Sequence, residues 1–123
     1  MKEGNPEPAV LMRIHELKVW VLPILAGVPR NMRQTVGRWP QEQVNELQQL
    51  VVRARYSPGE RAAALTRAND CVEMLRWHAR ELCELRMISR GAYGVWVERL
   101  QEIGAQLGGW RKLAQAARQA GSV

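Results

Sequence analysis

Apolar residues recur at helical spacing along four separate stretches of this 123-residue chain. None of the four shows the strict alternation of a half-buried strand. In the first, Val10, Ile14, Leu17, Val21, Ile24 and Val28 stand alternately four and three residues apart, on one helix face. The second carries Val44, Leu47, Val51 and Ala54, and the third carries Leu65, Ala68, Val72, Leu75, Ala79 and Leu82. The fourth runs Trp96, Leu100, Ile103, Leu107, Trp110, Ala114, Ala117. Four such seams joined by short segments predict an all-α fold, a single antiparallel four-helix bundle with helices over roughly 8–27, 33–55, 58–89 and 92–118.

Glycine and proline punctuate the seams. Pro8 suits a first helical turn, Pro23 predicts a kink, and Gly27 and Pro29 end the first helix. Gly37 and Pro40 predict a break or kink in the second. Ser57-Pro58-Gly59-Glu60 reads as a capping box that opens the third, which Ser89 to Gly91 closes. Gly104, Gly108 and Gly109 interrupt the fourth seam and predict close approach of a neighbouring backbone, and the tail Gly121 to Val123 is expected to fray.

The longest apolar run, Val19 to Val28, is ten residues and holds Pro23. A membrane span needs about 20. Met1 to Pro8 is polar, without the apolar core of a secretory leader. A cytoplasmic protein with no membrane partner is expected. Cys71 and Cys83 fall on one helix about 18 Å apart and cannot pair with each other there.

The formal net charge is +6, and fifteen of the 18 basic side chains are arginine. Arginine is a planar fork of donors suited to phosphate and carboxylate. Residues 28–67 hold seven Arg against three Glu, and residues 91–123 hold four basic against two acidic groups. Residues 68–90 balance four against four. Arg30, Arg33 and Arg38 lie in a stretch without acid and form either a phosphate-contacting edge or a solvated basic loop. Arg111, Lys112 and Arg118 make a C-terminal basic stripe. On the third helix Arg76 and Arg80 are neighbours, expected to act together in binding reverse transcriptase or nucleic acid, with Trp77 outside the seam. That tryptophan belongs either to an interface core or to the cover of an adjacent helix. Met74 and Met87 also lie outside the seam, so Trp77, Met74 and Met87 are the expected oligomer interface.

No catalytic constellation emerges. His15 and His78 stand on different helices, and Cys71, His78 and Cys83 lack the clustered spacing of a zinc site, so Cys71 and His78 read as core residues. No phosphate-binding glycine loop is present. A non-enzyme without metal or cofactor is expected.

Met74-Leu75-Arg76-Trp77-His78-Ala79-Arg80-Glu81-Leu82 resembles a signature of the accessory variability determinant (Avd) family, which accompanies diversity-generating retroelements. Val21-Leu22-Pro23-Ile24 with Val28-Pro29-Arg30, and Leu107-Gly108-Gly109-Trp110, look similar in the same order, so the likeness spans about residues 9–118. It implies a four-helix bundle assembling as a barrel-shaped, basic homopentamer. It also implies a protein without chemistry of its own that binds the element's reverse transcriptase and template RNA or DNA, in support of error-prone cDNA synthesis and retrohoming. Gly37 and Pro40 depart from the continuous second helix expected of that family. The four acids of the third helix predict a patchier basic surface. On the residues alone, nucleic-acid binding is expected to be weakly sequence-specific. The alternatives are a bundle of the ribosomal RNA intervening-sequence type and a stand-alone protein-binding bundle whose charge is compositional.

Overall fold

The computed structural model describes residues 6–121. Four helices, α1 (Pro6–Ala26), α2 (Arg38–Tyr56), α3 (Arg61–Glu84) and α4 (Arg90–Gly121), run in alternating directions, with short 3-10 turns at Arg30–Met32 and Pro58–Glu60. Each helix packs against the two that flank it in a ring, α4 closing back on α1, while the diagonal pairs stay apart. Cross-links mark the register: Lys18 Nζ donates to Asn45 and Gln48, Arg67 meets Glu46, and Arg13 meets Glu102. One end of the bundle therefore gathers the α1–α2 and α3–α4 connections. The other gathers the α2–α3 connection and the end of α4. No helix among the described residues is long and apolar enough to cross a membrane.

The interior is the four seams brought together, and those of α2 and α3 are buried at every expected position. In α1 the inward residue after Val21 is Leu25, with Ile24 half buried, because a 3.6-residue turn drifts away from a strict three-four alternation. Trp96 is fully buried and meets Trp20 edge-on, ring centroids 6.4 Å apart. In α4 the seam stops at Trp110: Ala114 is half exposed and Ala117 exposed. The last turns of α4 thus extend beyond the packed core. Gly121 belongs to α4, and the rest of the tail, Ser122 and Val123, lies outside the described residues, as do Met1 to Asn5.

The helix boundaries depart from the sequence expectation in physical ways. α1 runs through Pro23 and ends a turn later. α2 starts only at Arg38, after a compact turn in which Gly37 N–H reaches Met32 O at 3.2 Å. A Cβ on Gly37 would stand 3.2 Å from Arg33 Cα, a tight contact that a larger residue could keep only by shifting the turn a few tenths of an ångström. Pro40 causes no break. It is the third residue of α2, where no intrahelical N–H bond is lost, and it is buried. The capping box does not form: Ser57 makes no side-chain cap, and Pro58–Glu60 is a 3-10 turn. The side chain of Arg61 does the capping there, donating to the carbonyls of Ala54 (2.6 Å) and Arg55 (3.0 Å) at the end of α2.

α3 ends five residues earlier than expected, in a Schellman motif. Met87 N–H donates to Leu82 O and Arg86 N–H to Cys83 O, with Arg86 in the left-handed region at φ 60. The close backbone approach expected at Gly104, Gly108 and Gly109 is absent. A Cβ on Gly104 would meet only the Arg76 guanidinium and Val72 at ordinary contact distance, and one on Gly108 or Gly109 would meet nothing within 4 Å.

Truncating a closed seam position leaves a void, whereas truncating the projecting part of α4 does not. Leu100→Ala is expected to cost about 2–5 kcal/mol in urea unfolding, and Leu113→Ala under about 0.5 kcal/mol. Equal losses would mean that the end of α4 packs like its middle.

Candidate nucleic-acid and partner surfaces

The arginines divide by height along the bundle. Three midway up are matched with glutamate, Arg13 with Glu102 at 3.4 Å, Arg67 with Glu46 at 3.2 Å and Arg76 with Glu73 at 3.6 Å, while Arg99 stacks over Trp20 at 5.6 Å. The three ion pairs are solvent-exposed, worth at most about 1 kcal/mol each, so they neutralise the sides more than they stabilise the fold.

The end formed by the α1–α2 and α3–α4 connections is different. It holds Arg30, Arg33, Arg38, Arg86 and Arg90, and neither connection contains an acid. Arg33 Nε donates to Val28 O, and Arg38 pairs with Glu42 at 3.2 Å. The side chains of Arg30, Arg86 and Arg90 are exposed, without an ion-pair partner among the described residues. The N-termini of α2 and α4 open at this end, and neither has an acid in its first turn. Amides at the start of α4 and the arginines there favour an anion, whereas at α2 the Arg38 and Trp39 N–H groups both donate to Thr35 O and Pro40 has none. Ser89 Oγ takes the Ala92 N–H and orders the start of α4 beside Arg86 and Arg90. At the opposite end Arg111 is half exposed and Lys112 exposed, and Arg118 follows on the projecting helix.

Arg76 and Arg80, expected to act together, diverge. Arg76 lies half buried toward α4, with its guanidinium beside Gly104. Arg80 turns toward α2, stacks over Trp77 at 5.7 Å and pairs with Glu84 at 3.3 Å. It borders an open groove of about 730 Å³ between α2 and α3. Trp39, Met74, Trp77 and Leu85 supply the groove's apolar surface and Glu42, Glu81 and Glu84 its acids. Trp77 is 60% exposed and Met74 43%, as expected of interface residues. Met87 is less exposed than these two. It is the residue after the left-handed position of the Schellman motif, and it packs onto the core near Leu82 rather than facing out.

Sequence reasoning missed Arg86, Arg90, Trp39 and Leu85. The charge balance of residues 68–90 concealed the two arginines, since the four acids belong to the helix and the last two arginines to the connection.

Among the described residues no three His, Cys, Asp or Glu side chains gather in a metal-binding group. Cys71 is buried, and burial, reinforced by Glu46, pushes its thiol up to about 11. Compared with protein-family models, curated proteins and solved structures, the chain matches none.

His78 is buried in α3, and that burial holds its imidazole below the ordinary 6.5, with Glu81 pulling the other way. The unfolded chain therefore takes up a proton first. Its stabilising contribution is complete above 6.5 and is lost as pH falls through the folded-state value. Urea unfolding between about pH 7.5 and 5 should show a loss that is smaller in His78→Gln. An identical slope in the variant would place the titration elsewhere.

Proposed function

We propose that this chain is a non-catalytic nucleic-acid-binding scaffold, the accessory subunit of a diversity-generating retroelement of the accessory variability determinant type. In that role it self-associates, as a homopentamer in the cytoplasm, and holds template RNA or its cDNA for the element's reverse transcriptase. The observation that carries nucleic-acid binding is the grouping at one end of the bundle of Arg30, Arg86 and Arg90, exposed and without an ion-pair partner among the described residues, beside the acid-free N-terminus of α4, while Arg13, Arg67 and Arg76 on the sides are paired with glutamate. Such an end suits phosphates, and phosphate contacts position a nucleic acid without reading its bases. The resemblance in α3 and the aromatic groove support self-association and an enzyme partner.

A stand-alone protein-binding bundle is the second reading. The acid-bearing groove favours it for the side of the molecule, since glutamates beside Trp77 repel phosphate.

Arg86 gives the test a sharp form. A non-glycine residue in the left-handed region costs about 1–2 kcal/mol. Arg86→Gly should therefore raise the melting temperature while weakening RNA binding. Combined with Arg30→Ser and Arg90→Ser, it should lower affinity for single-stranded RNA more than tenfold. The slope of log affinity against log salt should become shallower by about 2 for three lost phosphate contacts. Arg76→Ala should change affinity little. Unchanged affinity and slope in the triple variant would refute binding through this end.

A further inference from the structure

The projecting part of α4 and the groove between α2 and α3 are complementary, and they belong to opposite ends of the molecule. From Leu113 onward α4 shows an exposed stripe, Leu113, Ala116, Ala117 and Ala120, spaced three, one and three apart on one helix face. Leu113 is 64% exposed. Lys112 stands beside that stripe and Arg111 on the opposite face of the helix, and no acid occurs in α4 after Glu102. The groove has the opposite character. Trp39, Met74, Trp77 and Leu85 are all more than two-fifths exposed, and three acids accompany them, Glu42 paired with Arg38, Glu84 paired with Arg80, and Glu81 without an ion-pair partner among the described residues. A stripe of one leucine and three alanines lets a helix backbone come close to flat aromatic rings, and an amphipathic helix laid in an apolar groove is a recurrent mode of recognition.

The groove lies toward the end where α2 begins and α3 finishes, whereas the α4 projection leaves the other end. A molecule therefore cannot seat its own projection in its own groove. We infer that residues 111–121 of α4 dock into the Trp39–Trp77 groove of a second copy of this chain. The contact is heterologous, one copy giving the projection and the next giving the groove, and repetition of it closes a ring or continues as a filament. This rests on the self-association proposed above and names the surfaces that make it.

Sedimentation velocity on the full chain tests it with two variants, each disabling one side: Trp77→Glu for the groove, and Leu113→Glu with Lys112→Glu for the projection. Both sites are exposed, so circular dichroism should show unchanged helicity. The wild type should be an oligomer, and each variant alone should associate at least tenfold more weakly. An equimolar mixture should form one-to-one dimers, because one intact groove and one intact projection remain. Charge reversal at Glu42→Arg with Glu84→Arg should likewise weaken association with wild-type projections and restore it with Lys112→Glu. An oligomeric wild type whose projection variant keeps the same size and affinity would overturn the docking while leaving self-association standing. A wild type that stays monomeric at high micromolar concentration would overturn both.

Discussion

Closure of the four-helix ring around Trp96 and the leucine seams is the constraint from which the rest follows. Each helix shows an apolar face too wide to be covered by one neighbour, so it is buried only when the ring shuts, α4 against α1. Closure fixes the register, and the register decides which charges meet. Arg13 reaches Glu102 and Arg67 reaches Glu46 because the antiparallel helices bring those heights together. The connections and the end of α4 lie beyond this matching. Arg30, Arg86 and Arg90, in and beside the connections, have no ion-pair partner among the described residues.

The same closure leaves two apolar surfaces outside. One is the groove of Trp39, Met74, Trp77 and Leu85, and the other is the stripe that begins at Leu113. Isolated exposed apolar residues are ordinary on a protein surface, but clustered aromatic ones mark contact sites. Phosphate would favour the unpaired arginines of the end, whereas the glutamates beside the groove favour protein. The proposed division of labour, nucleic acid at one end and protein along the side, rests on that difference in charge.

Much of the fold was legible in the sequence because burial follows periodicity. All ten expected seam positions of α2 and α3 are interior. What escaped was set by local geometry. The sequence offers a glycine-closed third helix at Gly91, but the chain stops at Leu85 with an arginine in the left-handed position, and Met87 turns inward as part of the same motif. Ser57 and Glu60 have the spacing of a capping box, yet no such cap forms, and the side chain of Arg61 instead caps the other side of the turn by donating to the last carbonyls of α2. The candidate surfaces were half legible. Trp77 and Met74 were recognisable as off-seam, whereas Trp39, beside a proline at an unresolved helix start, was not. Arg76 and Arg80 share a helix flank in sequence. Only packing reveals that one turns to α4 and the other to α2. Arg86 and Arg90 were hidden because charge was counted along the chain, while binding depends on which end of the bundle holds it.

Arginine-selective footprinting with phenylglyoxal, read by mass spectrometry with and without single-stranded RNA, tests the central claim most directly. The account predicts that RNA protects Arg30, Arg86 and Arg90 and leaves the modification of Arg13 and Arg67 unchanged. Protection of Arg13 and Arg67, with Arg30, Arg86 and Arg90 reacting as they do in the free protein, would contradict it.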